Sequence, residues 1–424
     1  MAGRVDPTVL EAVCGRTHVR PAGPQDHVAG TPARWVAAPR DTAEVSALLV
    51  AASEAGLSVA ASGGGTKLDW GRAPDTVDVL LDTSRLSGVA AAGSDRNQPA
   101  RDHMTLGAGT TLRAAQATLS RTGRRLALDI GVPTATIGGV LGTDEAGPLS
   151  ARYGTARDLV TDLEYVTADG TIRADRLESG QASRLLLGSY GTLGVITKAT
   201  LRVHPTPTTR RWVSRPVRTP LEVHKLTDCL LDPDAGPAAV EVDLPCGCDP
   251  SGGGRVRPGA LVALVEGERA EVARRVRGLT RLFGPTTIEL DEPPSWWGRY
   301  PFAPDELALR LAAPPADLHA AIYALRDAAG EIVPVRGSVS AGVVYAAMHV
   351  GVHPDRVGAV MSALRTTQLA RGGSCTLLRA TDEVRAVVDT IIDEDPDEPL
   401  LRQAKGWLDP KGRLAPGRVP CLPV

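Results

Sequence analysis

Ser62-Gly63-Gly64-Gly65-Thr66-Lys67 follows a short apolar run at 57–61, and no helical pattern comes after it. The run reads as a buried strand that empties into a glycine loop. Consecutive glycines let successive backbone N–H groups turn toward one anion. Thr66 adds a hydroxyl and Lys67 a charge. The loop lacks the Gly-Lys-Ser/Thr ending of a P-loop and the Gly-x-Gly-x-x-Gly of a dinucleotide fingerprint. On this stretch alone, a tight turn is the better reading.

The flanking sequence changes that balance. Upstream, Asp41-Thr-Ala-Glu44 predicts a capping box. Val45, Leu48, Leu49 and Ala52 then share one helix face, and Gly56 ends the helix. Downstream, strands are predicted at 76–81, 104–108, 159–167 and 195–203, with short helices at 112–119 and near 185–187 and a hairpin turn at Asp169-Gly170. Two further glycine clusters lie among them: Pro133-Thr-Ala-Thr136-Ile-Gly-Gly139 and Gly188-Ser-Tyr-Gly-Thr-Leu-Gly194-Val-Ile-Thr197. Each is weak alone. Three in one half predict a single long, phosphate-bearing ligand touched by backbone at several places.

Pro205-Thr-Pro207 punctuates the chain and divides it into domains at 1–206 and 207–424. Beyond it, strands are predicted at 211–217, 239–244, 260–265, 307–311 and 340–350. Helices are predicted at 221–231, 270–283, 316–328 and 354–371. The mixture lacks Rossmann order and predicts an α+β layer, an antiparallel sheet with helices on one face.

Composition bounds the function. The 424 residues carry a net charge of -2, with 43% hydrophobic and 23% charged residues. That is a globular balance with no electrostatic reason to expect nucleic acid as a partner. No apolar stretch approaches the roughly 18 residues of a spanning helix. The first residues hold no apolar run of a signal peptide, so the expected location is cytoplasmic. The acidic run 393–398 reads as a solvated loop. Six cysteines are scattered, and Cys246-Gly-Cys248 has no matching pair, which argues against zinc and for free thiols. With Phe 2, Tyr 6 and Trp 6, the core must rest on aliphatic residues. Lysines stand only at 67, 198, 225, 405 and 411 among 47 basic residues.

The ordered set resembles the FAD-binding domains of the vanillyl-alcohol oxidase, or PCMH, type. It runs from Val36-Ala-Ala-Pro39 and the first loop through Gly107-Ala-Gly109 and the second cluster. It continues with Gly147-Pro148, Arg152-Tyr-Gly154-x-x-Arg157-Asp158 and Ala168-Asp-Gly170, and ends on the third loop. About half the chain is covered. Leu364-Arg365 with Gly372-Gly373, and Lys405-Gly-Trp-Leu-Asp409-Pro-Lys-Gly412-x-Leu-x-Pro416-Gly-Arg418, resemble the small FAD-binding subunit of bacterial glycolate oxidase.

The resemblance implies an α+β FAD domain followed by an α+β cap, with 405–418 returning to the FAD domain. It places Gly63, Gly64, Gly65, Thr66 and Lys67 on the FAD pyrophosphate. It places Pro133, Thr134, Thr136, Ile137, Gly138 and Gly139 near flavin and pyrophosphate, and Gly194, Val195 and Ile196 along the cofactor. Thr66 stands where some relatives carry an attaching His, and the second loop has no Cys, so the implied FAD is non-covalent. The implied reaction is oxidation of glycolate or a similar 2-hydroxy acid. Electrons would pass to an iron-sulfur subunit or a quinone, beside a larger flavin subunit, since no cluster-type cysteine spacing occurs here. A non-catalytic FAD-fold partner subunit and a stand-alone FAD oxidase of an alcohol or secondary metabolite are the alternatives. Two features depart from the family. Ala61-Ser62 replaces an Arg before the first loop, and 173–182 replaces a Lys-Asn-x-x-Gly-Tyr-Asp segment.

Hydroxy-acid oxidation needs a cation for the carboxylate and a base for the hydroxyl proton. Arg310, on the strand 307–311, is the candidate clamp, and a surface arginine is the plainer alternative. His349 and His353 lie four apart and share a face if both are in a strand. His349 is the candidate there, against an ordinary edge histidine, and no metal is expected. Trp296-Trp297-Gly-Arg299-Tyr300 either lines a pocket or plugs an interface.

Overall fold

The computed structural model describes residues 7–91, 102–177, 181–228, 230, 236–245, 258–388 and 398–418. The Cys246-Gly-Cys248 pair and the acidic run through Asp397 lie outside the described residues. Three large sheets, with a two-stranded pairing of Arg124–Arg125 and His204–Pro205, account for the architecture. In the first, β1 (Thr31–Ala37), β2 (Val59–Ser62) and β3 (Val77–Asp82) form a parallel core in the order β1-β3-β2. Helix α1 (Thr42–Glu54) crosses between β1 and β2 and buries Val45, Leu48, Leu49 and Ala52. Its cap differs from the predicted box in one respect. Asp41 accepts from the Glu44 N–H at 2.9 Å, but the Glu44 carboxylate accepts from Arg40, one residue before the cap.

The second sheet is antiparallel. It contains β4 (His103–Gly107), β5 (Val160–Val166), β6 (Ile172–Arg176) and β7 (Val195–Arg202) in the order β6-β5-β7-β4. Asp169-Gly170 makes the predicted β5–β6 turn, with Gly170 at φ 83°. Helices α2 (Leu112–Ser120) and α3 (Ile137–Thr143) pack against it.

The third sheet has eight strands, all antiparallel. In chain order they are β8 (Thr209–Val217), β9 (Ala239–Leu244), β10 (Gly259–Gly267), β11 (Ile288–Leu290), β12 (Leu307–Ala312), β13 (Val335–Ser338), β14 (Val343–Met348) and β15 (Ser374–Arg379). The spatial order is β11-β8-β10-β9-β13-β14-β12-β15. One face is covered by α4 (Pro220–Asp228), α5 (Arg269–Phe283), α6 (Leu318–Ala329), α7 (Pro354–Leu369) and α8 (Asp382–Val388). This is the α+β layer expected from sequence. The continuous apolar run in β10 has a physical reason. Leu261, Ala263 and Val265 face the helices, while Val262 and Leu264 face the core built on the second sheet. A strand buried on both sides cannot alternate with polar residues.

Sequence reading missed β1, β11, β13 and β15; β13 is interrupted by Gly337 and β11 is three residues long. It also extended β14 to Val350, whereas the strand stops at Met348 and a turn begins.

The last described segment lies against the first two sheets. Helix α9 (Glu398–Leu408) buries Lys405, whose Nζ donates to Thr192 O (2.7 Å), Leu414 O (2.9 Å) and Asp409 Oδ2 (2.5 Å). Asp409 also accepts from the Arg413 and Leu414 N–H groups. This knot presents Arg413 and Ala415 to the edge of β2, where both bond to the Val59 backbone at 2.8 Å. Breaking a buried ion pair from one side leaves a charge without a partner, at a cost of about 3–5 kcal/mol. Lys405→Met is therefore expected to lower unfolding stability by about that amount. Lys405→Met with Asp409→Leu should recover part of it in denaturant titrations. An unchanged midpoint in the single variant would show that the pair does not hold the segment.

Candidate functional site

The three glycine loops meet. The first leaves β2, the second enters α3 and the third enters β7. Together they line a cleft of about 740 Å³, part of it open to solvent. Gly63, Gly64, Gly65, Thr66 and Lys67 form one wall, Thr136, Gly138 and Gly139 the floor, and Gly194, Val195 and Ile196 the far side. The backbone N–H groups of Gly64, Gly65 and Thr66 donate to no group among the described residues.

Close packing of the loops dictates the glycines. A Cβ on Gly63 would stand 2.0 Å from Thr136 Oγ1, and one on Gly64 would stand 2.4 Å from Thr134 O. Gly65 has φ 69° and open space around it, so its freedom serves backbone conformation. Thr136 caps α3 by accepting from the Gly139 N–H at 3.3 Å.

Three sequence-predicted residues support the cleft without lining it. Pro133 O accepts from the Arg113 N–H, Thr134 O lies under Gly64, and Ile137 is wholly buried in the core. Pro133 and Thr134 precede the α3 cap at Thr136, and Ile137 opens the helix on its core face.

The cleft has residues that motif reading did not place there. Arg418, from the C-terminal segment, is 6% exposed and lines it. One Nη2 bond reaches Trp70 O at 3.1 Å, while Nε and Nη1 have no partner among the described residues. Burial lowers its pKa to about 10. Its guanidinium lies 5.5 Å from the Tyr190 ring centroid. Tyr190 holds a left-handed backbone (φ 55°), unusual for a bulky side chain, and its N–H donates to Gly142 O.

Lys67 is 7% exposed, and its ammonium meets the Glu145 carboxylate, itself 4% exposed. Neither atom of that contact has another partner among the described residues. Nζ also lies 5.3 Å from the Trp70 ring centroid. Burial lowers the Lys67 pKa to about 7 and raises the Glu145 pKa well above the usual carboxylate range.

Glu145 lines a second space, or chamber, of about 400 Å³, part of it open to solvent, between the glycine loops and the eight-stranded sheet. Glu241, Arg299, Tyr300, Ser338 and Tyr345 also line it. Tyr300, Phe302, Tyr345 and Trp70 cluster with centroids 4.9–6.5 Å apart. Of the two alternatives for the Trp296 to Tyr300 segment, the lining role is seen at Tyr300, while Trp297 packs on Trp212 of β8 at 6.4 Å.

Arg310 is half-buried on β12, directly opposite Tyr345 of β14. Opposed residues of an antiparallel pair share a face, so both side chains are on the chamber side. Arg310 has no hydrogen bond or ion pair among the described residues, and its charge acts on both Tyr190 and Tyr345. His349 does not join them. It is exposed in the turn after β14, where Nδ1 accepts from the Gly351 N–H. His353 caps α7. The strand ends before either histidine, so they do not share a strand face. No cluster of metal-ligating side chains occurs among the described residues.

Residues 33–175 match the protein family described as FAD binding domain. A D-lactate dehydrogenase of Archaeoglobus fulgidus is 36% identical over 176 residues, 40% of this chain and 38% of that protein. Glycolate oxidase subunit GlcD of Bacillus subtilis is 30% identical over 183 residues, 42% of this chain and 38% of its own. The matched region thus spans under two fifths of these relatives. A solved alkyldihydroxyacetonephosphate synthase superposes over 97% of this chain and 85% of its own, with a TM-score of 0.71 at 16% identity, which shows a shared fold. No helix among the described residues is long and apolar enough to cross a membrane.

The loop packing is open to direct measurement. Gly63→Ala is expected to cost about 1–3 kcal/mol, the usual range for overpacking. Thr136→Ala in the same chain should return part of that loss, since it removes the obstructing oxygen. Additive effects of the two changes would mean the loops are not in contact.

Proposed function

We propose that this chain, which carries an FAD-binding domain over residues 33–175, is an FAD-dependent oxidoreductase of a small 2-hydroxy acid such as glycolate or D-lactate. The observation that carries the reading is Arg310, a half-buried cation without a protein partner among the described residues, on the chamber side of the sheet. The carboxylate-bearing substrates named in the matched dehydrogenase and oxidase subunit fit a cation so placed.

The cleft suits FAD. Unpaired N–H groups at Gly64, Gly65 and Thr66 are donors for a pyrophosphate. The two unpartnered donors of Arg418 supply a positive charge at the same cleft. Gly194, Val195 and Ile196 offer a flat backbone edge for a ring. Thr66 lacks the chemistry to attach a flavin covalently. FAD when bound accepts a hydride from the substrate α-carbon. Arg310 orients the carboxylate, and the Trp70, Tyr300 and Tyr345 rings exclude water from the chamber. A partner subunit with an iron-sulfur centre, or a quinone, takes the electrons onward.

Purified protein should be yellow and should bleach anaerobically with glycolate or D-lactate. Arg310→Met should raise KM about 10- to 100-fold, the worth of one charged hydrogen bond. A yellow protein that no hydroxy acid bleaches would point to another alcohol. A colourless protein would overturn the flavoenzyme reading and leave a non-catalytic partner subunit.

A further inference from the structure

Lys67 lines the FAD-type cleft, and Glu145 lines the second chamber. Their side chains touch, so the pair forms part of the partition between the two spaces. This is an unusual place for an ion pair. Both side chains are almost wholly buried, with exposures of 6% and 2%. Neither contacting atom has another hydrogen bond among the described residues. A buried pair held for stability needs its remaining lone pairs and protons satisfied, as those of Lys405 and Asp409 are. Lys67 Nζ and Glu145 Oε2 have none of these further partners among the described residues.

Building on the hydroxy-acid reading, we propose that Lys67 and Glu145 act as one proton-accepting unit, with Glu145 the catalytic base at the substrate hydroxyl and Lys67 its positioning residue. The unit rests with one proton between amine and carboxyl. The substrate O–H bond breaks, and its proton goes to the pair, which becomes ammonium plus carboxylic acid. The O–H electron pair would close the carbonyl as a bound FAD supplied the hydride acceptor for the α-carbon C–H pair, giving a 2-oxo acid. The accepted proton then leaves through Lys67 into the open cleft.

Neighbouring groups are consistent with this role. Tyr190 and Tyr345 feel the Glu145 charge, and both also feel Arg310. Tyr345, which lines the chamber with Glu145, is paired across the sheet with Arg310, so the two charged groups flank the same tyrosine. Glu241 lies in the chamber as well, its carboxyl pushed up by burial and its Oε1 without a partner. Arg418 flanks Tyr190 on the cleft side. Burial places the Lys67 side of the unit at about 7, where a base is matched to neutral pH.

The sign follows. The doubly protonated pair cannot accept a proton, so flavin reduction should fall as pH drops through about 7. The test uses the holoprotein. In stopped-flow reduction by D-lactate or glycolate, Glu145→Gln should slow bleaching about 10²- to 10⁴-fold, the contribution of a general base. It should abolish the pH inflection and leave FAD retention intact. Lys67→Met should move the inflection upward in whatever fraction holds FAD, since Glu145 then titrates alone in a buried site. Both variants reducing FAD with the wild-type profile would overturn the inference and leave the FAD assignment standing.

A measurement independent of substrate covers failure of the hydroxy-acid reading. Infrared difference spectra should show a protonated carboxyl at pH 6 that disappears in Glu145→Gln. Its absence at pH 6 would identify an ordinary ion pair and overturn the inference, whatever the substrate.

Discussion

The approach of two glycine loops to contact distance is the constraint on which the rest of the molecule depends. Gly63 and Gly64 lie against Thr136 and Thr134, closer than any side chain allows. Backbone therefore meets backbone across the base of the cleft. The parallel sheet that ends in the first loop and the antiparallel sheet that supports the second are locked at this point. Any residue larger than glycine would pry the sheets apart and close the space between the loops. The unpaired N–H groups of the first loop are a result of the same packing, because they turn away from the second loop and into the cleft.

A second lock brings the end of the chain back. Lys405 and Asp409 satisfy each other and four backbone groups inside the protein. Their cost of burial is offset because every donor and acceptor finds a partner. The return serves the site directly. It adds Leu414 beside Val59 at the β2 edge and carries Arg418 into the cleft wall. The same chemistry in Lys67 and Glu145 is left incomplete, and the contrast marks one pair as structural and the other as reactive.

Much of the fold was legible as local pattern. The face of α1, the Asp169-Gly170 turn and the doubly buried β10 follow from periodicity and turn chemistry. The failures have local causes too. Glu44 reaches Arg40 because the chain before the cap folds back, which the box pattern does not encode. β14 was read too long because Val350 continues the apolar run, yet Gly351 and the α7 cap at His353 end the strand. That error alone suggested a shared face for His349 and His353. Pro133, Thr134 and Ile137 belong to the motif but lie behind the cleft lining: the first two in the turn before the α3 cap, Ile137 on the helix's core face.

The sequence by itself determined the three glycine loops, their order and the α+β layers. Glycine spacing and hydrophobic period act over a few residues, and those are the interactions that a linear pattern records. Only the tertiary structure decided which charged groups share a site. Glu145 looks like a loop carboxylate, Arg418 like one arginine among many, and Arg310 like a strand-face residue. Each acquires its chemistry from burial and from neighbours that are up to hundreds of residues away. Desolvation depends on the whole surrounding volume, and no local run of residues contains that information.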